Sequence, residues 1–355
     1  MNIAFLSNHV FPFHVGGSET VIKNVSECMA ANGHNVYVYG CDATDDRIIG
    51  GVNISKCNQN NIVDIIKRHE KIIIYSDSFL LFNQVIKLIS LLNKNITLFP
   101  VGMNASLKDS NIRNNLLRNA DKVNFICHDN FYEDAIFLKT NNISFKVIPN
   151  GISRNEFNKR KKSIVKKDEY NILCVANTFP KKGHKELLDV CKVVNEKCKI
   201  NLNICCHEPK WQIGRNLQKI LQNQSSHMPY NVKWHINLDR SVLIEQFYNN
   251  DIFMLCSLKE VAPVCILEAA AASLPWISFD VGNVKSIEGG IVVPYVSKDI
   301  TGHISPCEKD IEIFADYTNN MINDIALMQK LSDMGSIYAD TVDWKNITKI
   351  YESYI

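Results

Sequence analysis

The sequence lacks any uninterrupted apolar run of about 18 residues, the length a helix needs to cross a bilayer. No transmembrane helix is therefore expected. It also lacks a CxxC pair, although it carries 12 cysteines. Several of them, such as Cys127, Cys174 and Cys256, sit inside apolar strand-like runs, and Cys205 and Cys206 are neighbours. That scatter suits reduced thiols in a cytosolic protein better than a disulfide framework. An excess of one charge is missing too: 39 Lys and Arg face 37 Asp and Glu, a formal net charge of +2. Nothing in that balance points to nucleic acid. No basic leader precedes the strand-like run Ile3 to Leu6, so a secretory signal is not expected. No G-x-G-x-x-G occurs, which removes the usual sign of a nicotinamide site.

What the chain does have is a repeated rhythm. Asn2 to Ser7 reads as a buried strand, and a turn-rich loop runs to Gly17. A helix follows from Ser18 to Asn32, with Val21, Ile22, Val25, Cys28 and Met29 on one face. Ser18 is a suitable cap at its start and Gly33 a suitable stop. Asn35 to Tyr39 is a second strand, which completes a βαβ unit of a parallel sheet. Further strands are predicted at 71–75, 95–101, 123–127 and 145–148, with a helix at 80–93 and a turn at Pro149-Asn150-Gly151. Lys159 to Lys167 then holds six Lys or Arg in nine residues, a solvated linker or a contact for an anionic membrane surface. After it the rhythm restarts, with strands at 171–176, 199–205, 232–236, 251–256 and 276–279. Helices are predicted at 185–197 and 264–273, and long helical patterns at 308–333 and 344–354. With 355 residues and 46% apolar composition, two doubly wound domains are expected.

The segment Glu260-Val261-Ala262-Pro263-Val264-Cys265-Ile266-Leu267-Glu268 carries most of the chemistry. Its first glutamate falls on a loop and its second inside an apolar helix. Pro263 suits the start of that helix, where a missing N–H costs nothing. The free N–H groups there suit phosphate oxygens. A carboxylate such as Glu268 among leucine and alanines needs hydrogen-bond donors, and the paired hydroxyls of a ribose would supply two. An ordinary salt-bridged glutamate pair is the alternative.

This segment resembles the E-x7-E region of family 4 glycosyltransferases, the GT-B group that includes glycogen synthases and mannosyltransferases. The likeness runs on through Leu274-Pro275-Trp276-Ile277. Gly16-Gly17-Ser18-Glu19, Gly33-His34-Asn35-Val36, Ala120-Asp121-Lys122-Val123, Val147 to Ile152, Lys182-Gly183-His184 and Asn250 to Leu255 follow in the family's order, and Trp344 onward resembles its closing helix. The resemblance implies an α/β GT-B fold, two Rossmann-like parallel-sheet domains facing a cleft. Residues 1–163 would form an acceptor-side domain, with a helix at 340–355 crossing back onto it, and 164–339 a nucleotide-sugar donor domain. Closure over the donor would hinge near Asn158 to Asp168 and at the closing helix.

The implied activity is transfer of a hexosyl-type sugar from a UDP- or GDP-linked donor to a glycan or lipid-linked acceptor, with retention at the anomeric carbon. Glu260 would contact the transferred sugar and Lys182 would neutralise the departing diphosphate, as a point charge without strict geometry. Glu268 would hold the ribose. Backbone around Ala262, Pro263 and Val264 would touch sugar or diphosphate. Gly16 and Gly17 would let backbone approach a ligand closely, or simply form a tight turn. Neither cofactor nor metal is implied, and no D-x-D ends a strand-like run. Peripheral contact with the inner membrane face is an expectation, on Lys108, Arg113, Arg118 and Lys122.

Three departures stand out. Asn177 occupies the donor-site position where the family often has arginine, Ser273 stands where a glycine commonly precedes L-P, and no histidine follows the strand ending near Val101. His9, His14 and His128 are candidate substitutes, though histidines near loops are more often structural. Two rivals share the architecture: a nucleotide-sugar 2-epimerase and a donor-binding subunit without turnover.

Overall fold

The computed structural model describes residues 1–14, 16–75, 81–99, 123–127, 133–157, 162–209, 211–295 and 305–355. Lys108, Arg113, Arg118, Lys122, His128 and the segments 100–103 and 158–161 lie outside them. Two compact units result: Met1–Gly151 with Val342–Ile355, and Ile152–Thr341.

The first unit contains β1 (Asn2–Ser7), α1 (Gly17–Ala31), β2 (Asn35–Gly40), β3 (Arg47–Ile49), β4 (Val52–Lys56) and α2 (Ile62–Arg68). It continues with β5 (Lys71–Tyr75), α3 (Phe82–Leu92), β6 (Ile96–Phe99), β7 (Val123–Cys127), α4 (Glu133–Thr140) and β8 (Phe145–Val147). The strands form one eight-stranded sheet, ordered β3-β4-β2-β1-β5-β6-β7-β8. Ile3 to Leu6 and Ile72 to Tyr75 are buried throughout, as a parallel sheet covered on both faces requires. β3 and β4, absent from the sequence reading, pair antiparallel. Gly50 and Gly51 join them with φ of 57° and 79°, the two positive values a tight hairpin turn needs. Helix α1 starts before Ser18. Extended Gly16 caps it, without a side-chain hydrogen bond, so Ser18 is not the cap.

The second unit contains β9 (Glu169–Val175), α5 (His184–Asn195), β10 (Lys199–Cys206), α6 (Gln212–Ser225), β11 (Asn231–Ile236) and α7 (Arg240–Asn249). Then come β12 (Ile252–Leu255), α8 (Val264–Ala271), β13 (Trp276–Phe279), β14 (Gly290–Val293), α9 (Glu308–Asn323) and α10 (Ile325–Thr341). Its six parallel strands run β11-β10-β9-β12-β13-β14. The chain winds outward from β9 to β11, then returns to the other side of β9 with β12. The connections that leave the carboxyl ends of β9 and β12 therefore go to opposite sides, which makes this the switch point of the sheet, the usual ligand position in such folds. The long helical pattern predicted at 308–333 is two helices. They break at Asp324, whose Oδ1 accepts from the Leu327 N–H at 2.8 Å and caps the second.

The described residues of 152–163 belong to this second unit. Buried Arg154 donates to Asp340 (2.8 Å), to the Ser336 hydroxyl (3.0 Å) and to the Ala271 carbonyl. Two lysines of the basic run are also tied down. Lys167 pairs with Asp251 at 2.7 Å. Lys162 donates to the Asn250 carbonyl, and burial pulls its pKa down to about 8. A freely solvated linker is thus corrected at these positions.

The last helix, α11 (Trp344–Tyr354), packs on α1 of the first unit. Asn32 donates to Glu352 at 2.8 Å, and His34 lies 3.3 Å from the same carboxylate. The Trp344 indole lies 2.5 Å from where a Cβ on Gly151 would stand, which gives the glycine of Pro149-Asn150-Gly151 a packing reason besides the turn.

Candidate functional site

The switch point between β9 and β12 is held together by close backbone approach. Gly183 has φ 63°, and a Cβ there would fall on the Cys256 carbonyl oxygen. Only glycine meets both demands. The Leu258 N–H donates to the Lys181 carbonyl at 2.8 Å, which stitches the loop after β9 to the loop after β12. These contacts bring Lys182 to Glu260. The ammonium donates to both carboxylate oxygens, at 2.7 and 2.8 Å. Burial works against the lysine's charge, and the Glu260 carboxylate more than offsets it, leaving the pKa above the ordinary lysine range. Lys182 is therefore a cation at neutral pH.

A third loop supports the second. The Asn283 N–H donates to the Val261 carbonyl at 3.0 Å. Gly282, at φ 54°, presses on the same carbonyl so closely that a Cβ would collide with it. Pro263, at φ −69°, caps α8 without offering an N–H. The first N–H groups of a helix have no partner within it, and at α8 they belong to Val264 and Cys265. Burial raises the Cys265 thiol well above its ordinary range, so no thiolate nucleophile stands beside them.

Glu268 lies inside α8 and is buried. Burial raises its pKa, and the guanidinium of Arg240 pulls it back part of the way. Arg240, at the start of α7, donates to the Glu268 carboxylate and, at 2.7 Å, to Glu156. Just before it, Leu238 joins Val175, Ala176, Asn177, Cys205, Cys206, His207 and Leu243 around a cavity of about 190 Å³ at the carboxyl ends of β9 and β10. That is below the roughly 300 Å³ at which whole-ligand pockets begin. It is room for one end of a ligand. Asn177 is on its wall, where its carbonyl oxygen accepts from the His207 N–H at 3.1 Å. The side chain at the arginine position thus braces backbone. Behind it, buried His184 lies 3.2 Å from the Ala176 carbonyl, and burial lowers its pKa to about 4. The imidazole is neutral, with Nε2–H donating to that carbonyl.

The matching family model, glycosyl transferases group 1, spans residues 155–336. The chain belongs to that family. No curated protein matches it in sequence. Among solved structures, this transferase is similar to a sucrose-phosphate synthase from Thermosynechococcus elongatus, at 15% identity and a TM-score of 0.75 over 99% of this chain and 97% of that one. The trehalose-6-phosphate synthase OtsA matches at 12% identity and TM-score 0.75, over 99% and 98%. Anabaena HepE, solved with UDP and glucose, matches at 14% and 0.71, over 99% and 98%. These likenesses make the fold GT-B, with two Rossmann-like parallel-sheet domains.

Of the residues singled out from sequence, the transferase gathers Lys182, Glu260, Ala262, Pro263, Val264 and Glu268 on α8 and the loops around its start, with Asn177 at the cavity. Gly16 and Gly17 belong to the first unit. Neither has a positive φ, and nothing lies within 4 Å of a Cβ placed on Gly17. Arg240, Gly282 and Asn283 were missed. Gly282-Asn283 had a readable turn signal. Arg240 had none, since its meaning lies in a contact formed only by the fold.

Proposed function

We propose that this transferase moves a hexosyl-type sugar from a nucleoside-diphosphate donor to a glycan or lipid-linked acceptor, with retention of anomeric configuration. The observation that carries the reading is the Lys182–Glu260 pair, set between the loops that follow β9 and β12 near the start of α8. A donor diphosphate would take over Lys182 and the N–H groups of Val264 and Cys265, where the helix dipole favours negative charge. Glu260, released from the lysine, would accept from a hydroxyl of the transferred sugar. Glu268 would hold the ribose, with the base in the neighbouring cavity.

As the bond to the sugar lengthens, charge builds on the departing diphosphate. Lys182 stabilises that charge, and such a fixed partner is worth roughly 100- to 1,000-fold in rate. No protein nucleophile is needed, because the leaving oxygen itself can accept the acceptor's proton on the same face. UDP or a UDP-sugar in the structures of relatives such as HepE supports a uridine donor first, with guanosine as the comparison.

The test is incubation with UDP- and GDP-sugars, with and without glycan and lipid-linked acceptors. Acceptor-dependent release of nucleoside diphosphate with a retained anomer, read by NMR, is the expected result. Isomerised donor without transfer would make the chain an epimerase. Binding without turnover would make it a donor-binding subunit. For a lipid-linked acceptor, flotation with anionic vesicles at low salt tests peripheral membrane contact. Among the described residues, no helix is long and apolar enough to cross a membrane.

A further inference from the structure

Two histidines and an aspartate meet in the first unit, at the carboxyl ends of β1 and β2. His9 and His14 follow β1, and Asp42 follows β2. The two strands are parallel neighbours with Ser7 opposite Gly40. Their ladder continues past the strand ends, since the Cys41 N–H donates to Ser7 (3.2 Å) and the Asp42 N–H to Asn8 (3.1 Å). Asp42 is thereby fixed beside the first loop. Its Oδ1 accepts from the Val10 N–H at 3.2 Å, and its Oδ2 lies 3.1 Å from His9 Nδ1. Val10 is fully buried and anchors that loop. The His14 N–H donates to the Val10 carbonyl at 3.0 Å, which folds the chain back. The His14 ring then stacks on His9, with centroids 4.7 Å apart and planes at 28°. Among the described residues its side chain has no hydrogen-bond partner. One nitrogen of each histidine and one Asp42 oxygen all lie within 4.8 Å of one another.

We propose that His9, His14 and Asp42 form a binding site for one divalent first-row transition ion of the zinc, cobalt or nickel class. Two imidazoles and a carboxylate match those ions, whereas magnesium and calcium favour shells of oxygen ligands. Metal–ligand bonds of about 2.0–2.2 Å require the three atoms to draw together. His9, with a side chain 54% exposed, has room to turn. The Val10 N–H on the other Asp42 oxygen orients the carboxylate, as outer partners do at metal sites. Two imidazoles and one carboxylate leave at least one position of a tetrahedral ion for water. His14 stands two residues before Gly16, the cap of α1, and its Cδ2 lies 4.0 Å from where a Cβ on Gly16 would be. An ion would therefore tether the entry to α1. This proposal draws on no residue of the second unit.

A simple His9–Asp42 hydrogen bond would leave His14 without a role. That difference is the basis of the test. The full chain, stripped with chelator, is titrated with Co2+ by calorimetry and visible absorption. The expected result is one ion per chain, with the d–d bands of nitrogen and oxygen ligation and no competition from Mg2+. His14→Ala and Asp42→Asn should each weaken binding by at least about tenfold, with far-UV circular dichroism unchanged. No binding, a thiolate charge-transfer band in place of the d–d signature, or parental affinity in His14→Ala would each overturn the site. If His14→Ala disturbs the fold, His14→Gln gives the same reading at the surface.

Discussion

In the second unit, Gly183 stands at φ 63° with the Cys256 carbonyl where its Cβ would be; in the first, the space beside Gly17 is open and its backbone is helical. Both glycines follow the first strand of their sheets, and both belong to motifs that resemble one family. They are glycine for different reasons. At Gly183 the fold itself demands it, because the loops of β9 and β12 touch. At Gly17 no contact within the described first unit demands it, and the reason we propose is a ligand that approaches the backbone. A glycine motif therefore carries two separable kinds of information, and substitution tells them apart.

The largest expected effect is at Gly183. Gly183→Ala combines a strained left-handed conformation with a collision against backbone, each worth about 1–3 kcal/mol. We expect a loss of about 3 kcal/mol or more in urea unfolding. Transfer should fall with it, because Lys182 would leave Glu260. An unchanged unfolding midpoint would contradict the close approach.

Lys182→Ala should act mainly on rate, with a stability cost of about 1–2 kcal/mol because the Glu260 carboxylate loses its cation. Turnover should drop by about two to three powers of ten, with a smaller loss of donor affinity, because the lysine matters most as charge builds on the leaving group. Single-turnover rates alongside calorimetric donor titration separate the two. Parental transfer by Lys182→Ala would reduce the Lys182–Glu260 pair to a structural ion pair.

Glu268 and Arg240 sharpen the donor side. Glu268→Ala should weaken both donor and free nucleoside diphosphate by about 10- to 150-fold, the equivalent of 1.5–3 kcal/mol of charged hydrogen bonding. Arg240→Ala leaves that buried carboxylate without its guanidinium. Because Arg240 is itself half exposed, the stability cost should be about 1–2 kcal/mol, below that of a fully buried pair. Nucleotide affinity should fall as well, and the double variant should lose less than the sum, since the two side chains act as one. Strict additivity in calorimetry would separate Arg240 from the ribose position.

How far these residues could be read in advance follows from where their reasons lie. Strands β1, β5 and β13 were legible because a parallel strand buried on both faces is a short, dense apolar run. β14 was missed: its four residues, Gly290–Val293, lean on Trp276 across the sheet rather than on a local signal. The α9–α10 break at Asp324 was hidden because apolar periodicity runs through it. At the site, Glu260, Glu268 and Lys182 were legible through family resemblance. Arg240 was not, because it reaches Glu268 across 28 residues of sequence.

His184 gives a smaller effect with a defined sign. Its folded pKa, about 4, lies below the ordinary histidine value of 6.5. Between those values the unfolded chain binds a proton that the folded chain refuses. Stability should therefore be unpenalised above pH 6.5 and fall as pH drops toward 4, by at most about 1.4 kcal/mol per pH unit from this residue. His184→Gln can still donate to the Ala176 carbonyl and does not titrate, so its stability curve should be flatter across that window. Equal slopes for parent and variant, measured by urea unfolding, would show that this imidazole does not set the dependence.

The smallest effect on stability is expected at Gly17. Gly17→Ala adds a methyl into open space at the first position of α1, where alanine favours the helix. Unfolding free energy should stay within about 0.5 kcal/mol of the parent, or rise slightly as the unfolded chain loses freedom. If glycine is there so that a ligand can approach the backbone, the same methyl should lower transfer while the fold is untouched, and Gly17→Val should lower it further. A graded loss of turnover at constant stability is the expected pattern. If both variants transfer at the parental rate, Gly17 is only the end of a turn, and the contrast with Gly183 reduces to packing.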